Sequence, residues 1–114
     1  MKAILRGGLG LTFLAMATWT VASALQASSQ SDGAALYVKR CKMCHGADGK
    51  GFKALKSQDL TDPKWQASLK DQDLVATVKN GKGKTMPAFA GKLKDDEIQA
   101  VAAYVRTLNS EKKQ

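Results

Sequence analysis

The chain has 114 residues, which is the size of one small domain and excludes a large enzyme with separate cofactor and substrate domains. The 18 Lys and Arg residues outnumber the 10 Asp and Glu residues, so the formal net charge is +8. Only two Cys and one His are present. These counts exclude a multi-disulfide scaffold and a His-rich metal site.

The first 27 residues have the pattern of a targeting segment. Lys2 and Arg6 precede an uncharged apolar run, and small residues follow it. This order is typical of a secretory signal peptide. We therefore expect residues 1–27 to be removed and residues 28–114 to form an exported domain, in the bacterial periplasm. The alternative is a retained anchor, because Gly7 to Leu25 gives 19 uncharged residues, close to the roughly 20 that span a bilayer.

The remaining residues predict an all-α domain. Asp62 can cap a helix and Pro63 suits a first helical position, while Gly81 is typical of a residue just past a helix end. Ile98 and Val101 belong to an apolar stripe at helical spacing, and no alternating segment indicates a strand. The patterns predict four short helices, at about residues 32–44, 64–69, 71–80 and 95–108.

The sequence Cys41-Lys42-Met43-Cys44-His45 carries the chemistry. This spacing is the attachment signature of a c-type haem, in which two thiols one helical turn apart form thioethers and the adjacent imidazole binds the iron. A disulfide between Cys41 and Cys44 is the alternative in an exported protein. A thioredoxin-like pair would need strands, and zinc would lack a fourth Cys or His ligand.

The second axial iron ligand is inferred by elimination. His45 is the only histidine, so a methionine is the natural candidate. Met86 lies on a glycine-rich loop and is followed by Pro87, which stiffens the loop. The other interpretations are that Met86 only packs in the core, or that the iron is open or bound by Lys82 or Lys84. Three methionines are set aside because they lie in the targeting segment or inside the attachment turn: Met1, Met16 and Met43.

The chain resembles the class I monohaem cytochromes c of the small bacterial kind. The resemblance covers about residues 32–109 and rests on the attachment motif, on Lys84-Thr85-Met86-Pro87-Ala88-Phe89 and on the last helix. It implies a small cytochrome c fold, with about four short helices wrapped around one covalently attached haem. It also implies that Gly33 and Tyr37 pack against Tyr104, since these residues match the pattern of the family.

The chain departs from this family in the loop after the attachment site. Many members have a proline there whose carbonyl accepts a hydrogen bond from the axial histidine. No proline lies between Gly46 and Asp62. We expect a carbonyl near Ser57 or Gln58 to accept this bond instead, and the sequence leaves open which of the two does so.

Ligation by His45 and Met86 would fill both axial positions, which favours electron transfer over catalysis. The alternative is a dedicated haem subunit of a periplasmic or membrane oxidoreductase complex. A sensor or peroxidase-like enzyme would need an open iron. Trp65 either hydrogen-bonds a haem propionate or packs its own helix. The expected apolar walls of the haem pocket are Leu55, Leu60, Leu74, Val78, Phe89 and Leu93.

Basic residues flank the attachment site and the methionine loop, and they predict redox partners with acidic docking surfaces. Ordinary solvated lysines are the alternative. We expect no nucleic-acid partner, and membrane contact only through partners or an uncleaved N-terminal segment. The basic residues in question are Lys39, Arg40, Lys42, Lys50, Lys53, Lys82 and Lys84.

Overall fold

A computed structural model describes residues 32–113, so the signal segment predicted at residues 1–27 lies outside the described residues. Within the described range the chain is helical, and β-pairing is limited to isolated bridges. None of the described helices is long and apolar enough to cross a membrane. The α-helices are α1 (residues 32–40), α2 (Lys42–His45), α3 (Pro63–Ser68), α4 (Asp71–Asn80) and α5 (Asp95–Thr107), with 3₁₀ turns at Lys53–Leu55 and Ser110–Lys113.

Local capping explains where the later helices begin. The carboxylate of Asp62 accepts a hydrogen bond from the backbone N–H of Lys64 at 2.9 Å, with Pro63 at the first helical position. At the starts of α4 and α5 a side-chain carboxylate accepts from the backbone N–H three residues before it, at 2.8 Å in each case. The predicted bounds of these three helices are confirmed to within one residue at either end.

The first predicted helix is divided at Cys41. The structure has two helices here, α1 and α2, because Cys41 departs from helical geometry with a φ of −112°. Helical hydrogen bonding nevertheless continues across the junction, from the Cys41 N–H to Tyr37 O at 2.8 Å and from the His45 N–H to Cys41 O at 2.9 Å. The predicted helix is therefore present, with a local break at the first cysteine.

The crossing of α1 and α5 depends on a glycine. A Cβ atom at Gly33 would lie 2.1 Å from the backbone oxygen of Ala100, closer than any side chain allows. One turn further on, the rings of Tyr37 and Tyr104 pack with centroids 5.3 Å apart. The predicted packing of this glycine with two tyrosines is confirmed.

The buried apolar residues form two clusters around α5. The larger cluster joins α1, α3, α4 and α5 and contains Tyr37, Leu60, Leu74, Ala102, Val105 and Leu108. The smaller cluster lies where the chain after α4 meets the start of α5 and contains Phe89, Leu93 and Ile98. The helix α5 therefore supplies residues to both clusters, as its predicted apolar stripe requires.

A buried polar network ties α3 to the end of α5. The side chain of Gln66 is almost fully buried and donates hydrogen bonds to the backbone oxygens of Leu60 and Val105, both at 2.8 Å. The guanidinium of Arg106 donates to the Gln66 side chain and to Asp71. These bonds hold the short helix α3 across the end of α5.

Candidate haem site

The two cysteines and the histidine of the attachment motif lie on one helical turn. The N–H groups of Cys44 and His45 both point to the carbonyl oxygen of Cys41, at 3.1 and 2.9 Å. Both thiols are free rather than joined in a disulfide. Burial raises the pKa of the Cys41 thiol to about 11, and the nearby Cys44 adds to the shift. Both sulfurs are thus free to form thioether bonds from the same turn.

The imidazole of His45 is half-buried and has a defined orientation. Its Nδ1–H donates to the carbonyl oxygen of Gln58 at 3.4 Å, which leaves Nε2 with the lone pair that a metal would bind. Burial lowers the pKa of His45, against a smaller opposite effect of the Gln58 hydrogen bond. The larger effect, burial, favours the neutral, metal-binding form. Between the two carbonyls that the sequence left open, the structure selects Gln58.

The end of the attachment turn is fixed by a buried tyrosine. The hydroxyl of Tyr37 donates to the carbonyl oxygen of Gly46 at 2.7 Å, directly after His45. Gly46 has a φ of +79°, a region that favours glycine. The chain therefore leaves α2 at a position that the buried Tyr37 fixes. The backbone at His45 is held by the helical bond to Cys41 before it and by the Tyr37 bond to Gly46 after it.

The loop that carries Met86 is anchored to α4. Lys82 and Met86 exchange backbone hydrogen bonds at 3.1 and 3.2 Å, and the N–H of Phe89 donates to Val78 O at 3.0 Å. A Cβ atom at Gly81 would lie 2.5 Å from the backbone oxygen of Met86, so only glycine permits this return of the chain. Met86 is half-buried, and its ligation of iron stays a prediction.

The surroundings of the motif fit a large apolar cofactor. Phe52 and Leu55, on the loop that follows the attachment turn, are 47% and 48% exposed, and Val38 on α1 is 57% exposed. These exposed apolar side chains lie before and after the attachment turn in the chain, where a covalently attached apolar group would cover them. Together with two free thiols and a neutral imidazole, they match the chemistry of a covalently attached haem. Within residues 32–113, no three Cys, His, Asp or Glu side chains converge as an alternative metal cluster.

The other residues predicted to line the haem pocket differ in how far they are buried. Trp65 is half-buried and packs against the larger core cluster, which supports its packing role, and its contact with a propionate stays a prediction. Among the six residues predicted as apolar walls of the pocket, Leu55 is exposed. The remaining predicted wall residues are buried or half-buried, and the side on which each would meet the haem stays a prediction: Leu60, Leu74, Val78, Phe89 and Leu93.

Comparison with known proteins finds c-type cytochromes and a subunit of a cytochrome c oxidase among the relatives of this chain. A family model described as cytochrome c oxidase, cbb3-type, subunit III, matches residues 28–105. The cbb3-type cytochrome c oxidase subunit FixP of Azorhizobium caulinodans is 40% identical over 76 residues, which are 67% of this chain and 26% of that subunit. The cytochrome c6 of Leptolyngbya boryana is 45% identical over 78 residues, 64% of this chain and 85% of the relative.

Solved structures lead to the same family. The structure of the KustC0563 c-type cytochrome matches with a TM-score of 0.66 and 32% identity, and the match covers 69% of this chain and 99% of that one. The chain spans about a quarter of the length of the FixP subunit that it matches. The family match, the relatives and the all-α fold together identify the chain as a member of the cytochrome c family, a small class I c-type cytochrome with covalently bound haem.

Proposed function

We propose that the chain is an electron carrier with a single haem bound by Cys41, Cys44 and His45. The observation that supports it best is the attachment turn itself, with two free thiols and an imidazole whose Nδ1–H is held by the Gln58 carbonyl. A haem held in this way supplies a reversible one-electron Fe(III)/Fe(II) couple. The protein residues keep the imidazole neutral and fix its orientation, and the loop that follows the attachment turn offers the apolar side chains of Phe52 and Leu55.

Met86 is the second axial ligand in this proposal, and the chain is not an enzyme. The support is its position on an anchored loop, held by the paired backbone of Lys82 and by the close approach of Gly81. A thioether ligand favours Fe(II) and raises the reduction potential. With both axial positions filled by the protein, no position is left for a substrate or for oxygen.

Carbon monoxide tests whether the sixth position is filled. We expect the reduced, haem-loaded protein to show no carbon monoxide spectrum at neutral pH, because Met86 would have to leave the iron first. The Met86→Ala variant should bind carbon monoxide readily. Tight binding by the unsubstituted protein would overturn this function and would favour a sensor or an enzyme.

A haem subunit of a larger complex is the second candidate. It is favoured by the 40% identity to a cbb3-type oxidase subunit of which this chain covers a quarter. Fractionation of the native host separates the two functions. A free carrier is expected as a monomer in the soluble exported fraction, whereas a subunit would copurify from solubilised membranes in a fixed ratio with other haem proteins.

The periplasm is the proposed compartment. C-type cytochromes are exported proteins, and this chain shares that property with its family. The sequence pattern of residues 1–27 supports bacterial export in particular. An epitope-tagged chain should be released with the periplasmic contents when the outer membrane is opened, and retention in the cytoplasm would contradict the assignment.

Acidic redox partners are the proposed docking class. The seven basic residues that flank the motif and the Met86 loop are all exposed, and none of them forms an ion pair with another residue in the range 32–113. Such unpaired positive charge accelerates encounters with acidic partners.

The trianion hexacyanoferrate(III) is a suitable oxidant to test this surface. Lys53→Glu changes the charge of the proposed docking surface by two units. We expect it to slow oxidation of the reduced protein roughly fivefold at low salt, because the trianion approaches this surface to within about one screening length. Lys64→Glu on α3 is the matched control and should have a smaller effect. Equal rates in the two variants would contradict a localised docking surface.

A further inference from the structure

A serine closes the loop that follows the attachment turn. The hydroxyl oxygen of Ser57 accepts a hydrogen bond from the Phe52 N–H at 2.7 Å, and the Ser57 N–H reaches the Phe52 carbonyl at 3.4 Å. The residue just before it, Lys56, is the only non-glycine residue in the described range with a positive φ, at +51°. The chain reversal before Gln58 is therefore closed by backbone hydrogen bonds together with the Ser57 hydroxyl, which makes the shortest of these contacts, at a place where no proline ring is present.

The other side of this loop is held by Gly51. Its N–H donates to the backbone oxygen of His45 at 2.8 Å. A Cβ atom there would lie 2.7 Å from the carbonyl oxygen of Ser57 and 3.1 Å from that of Gln58. Gly51 thus joins the backbone of the histidine to the two carbonyls, and it brings the Gln58 carbonyl within reach of the imidazole.

These contacts form a closed ring of interactions that begins and ends at His45. The backbone of His45 is bonded to Gly51, Gly51 packs on the Ser57–Gln58 peptide, and the Gln58 oxygen returns to Nδ1–H of the same imidazole. The bond from Nδ1–H is long, at 3.4 Å, so a small displacement of the Gln58 carbonyl would break it. A hydrogen-bond partner of a ligating imidazole fixes its orientation and its basicity.

We propose that Ser57 is a positioning residue for the axial ligand: by closing the loop on Phe52 it holds the Gln58 carbonyl against His45 and tunes the reduction potential. The inference rests on the proposed function, since it assumes that His45 binds the haem iron. Loss of the serine hydroxyl frees the carbonyl, weakens its bond to Nδ1–H and makes the imidazole a poorer electron donor. A poorer donor stabilises Fe(III) less, so the potential rises.

The test compares Ser57→Thr with Ser57→Val in the haem-loaded full chain, since the two side chains differ only by a hydroxyl in place of a methyl group. Exchange of the His45 Nδ1–H with solvent is followed by NMR of the reduced protein, and the potential is measured by titration. We expect the Nδ1–H of His45 to exchange about tenfold faster in Ser57→Val than in Ser57→Thr, a factor that corresponds to the loss of one hydrogen bond of ordinary strength. The reduction potential of Ser57→Val should be more positive than that of Ser57→Thr.

Ser68→Ala is the matched control. Its hydroxyl donates to the Trp65 carbonyl at 2.7 Å on α3, and its loss should change neither the exchange rate nor the potential. Equal exchange rates and potentials in Ser57→Thr and Ser57→Val would overturn the positioning role, while an unchanged low-spin spectrum would leave the proposed function intact. A His45→Ala variant that keeps the wild-type spectrum would instead overturn the proposed function itself.

Discussion

Tyr37 connects the hydrophobic core to the attachment turn. Its side chain is fully buried, its ring packs on Tyr104, and its hydroxyl bonds the Gly46 carbonyl immediately after His45. Burial raises the pKa of this phenol well above its ordinary value, with smaller contributions from neighbouring acidic groups. The hydroxyl is therefore kept protonated as a donor in the folded state.

Tyr37→Phe is expected to lower the free energy of unfolding by about 1–3 kcal/mol at neutral pH, because the Gly46 carbonyl loses its buried donor. The raised pKa adds a pH dependence. Its stabilising effect is fully present below about pH 10, where the phenol is protonated in both states, and is lost as the pH rises further. Denaturant unfolding of the haem-loaded proteins at neutral and alkaline pH measures both effects.

The control is Tyr104→Phe, whose hydroxyl makes no hydrogen bond to any other residue of the described range 32–113. It should change the stability by less than about 0.5 kcal/mol. A stability difference between wild type and Tyr37→Phe that stays constant through pH 10 and above would contradict the assigned role of burial.

At the scale of elements, the contact between α1 and α5 gives a prediction with an unusual sign. Replacement of glycine by alanine inside a helix ordinarily stabilises it by about 1 kcal/mol. At Gly33 the new Cβ would meet the Ala100 carbonyl at 2.1 Å and the Tyr104 Cβ at 3.0 Å, so the two helices must separate. We expect Gly33→Ala to destabilise the haem-loaded protein by about 1–3 kcal/mol, measured by denaturant unfolding. A stabilised variant would contradict the close crossing.

The helix ends could be predicted because their signals are local. Asp62 and Pro63 mark the start of α3, and Gly81 follows α4 directly, so each boundary depends on residues within one turn. The break at Cys41 was missed because neither glycine nor proline marks it. The apolar stripe of α5 also gave its buried face correctly, since burial there follows the helical period.

Contacts between distant positions could not be predicted in this way. Gln66 bonds the Val105 carbonyl 39 residues away, and no local pattern distinguishes this buried glutamine from an exposed one. The hydrogen bond of His45 posed a similar problem. Whether the acceptor is the carbonyl of Ser57 or that of Gln58 depends on how the Ser57 side chain closes the loop on Phe52. That closure is a property of the folded loop.

At the scale of the whole molecule, the apolar core is centred on α5 rather than on the attachment turn. The domain is small, its buried apolar residues lie around α5, and large apolar side chains remain exposed beside the cysteines. A domain of this size buries a smaller fraction of its surface on folding than a large domain does. The covalently bound haem would therefore complete the core as well as supply the redox chemistry.

We expect a haem-free chain to be largely unfolded, as happens in small domains that depend on a bound metal. The Cys41→Ala/Cys44→Ala protein, produced without haem, should show little helical circular dichroism and no sharp thermal transition. The haem-loaded protein is the control and should melt cooperatively. A cooperative transition in the haem-free variant would show that the protein core suffices without the ring.

Visible spectra of the purified, haem-loaded protein test the central claim most directly. Ligation by His45 and Met86 predicts sharp low-spin bands in both redox states and a weak far-red sulfur-to-Fe(III) band that disappears in Met86→Ala. Replacement of the exposed Met43, which is 86% exposed, by leucine should leave that band in place. A high-spin spectrum, or a Met86→Ala spectrum identical to the wild type, would contradict six-coordinate ligation and with it the electron-carrier function.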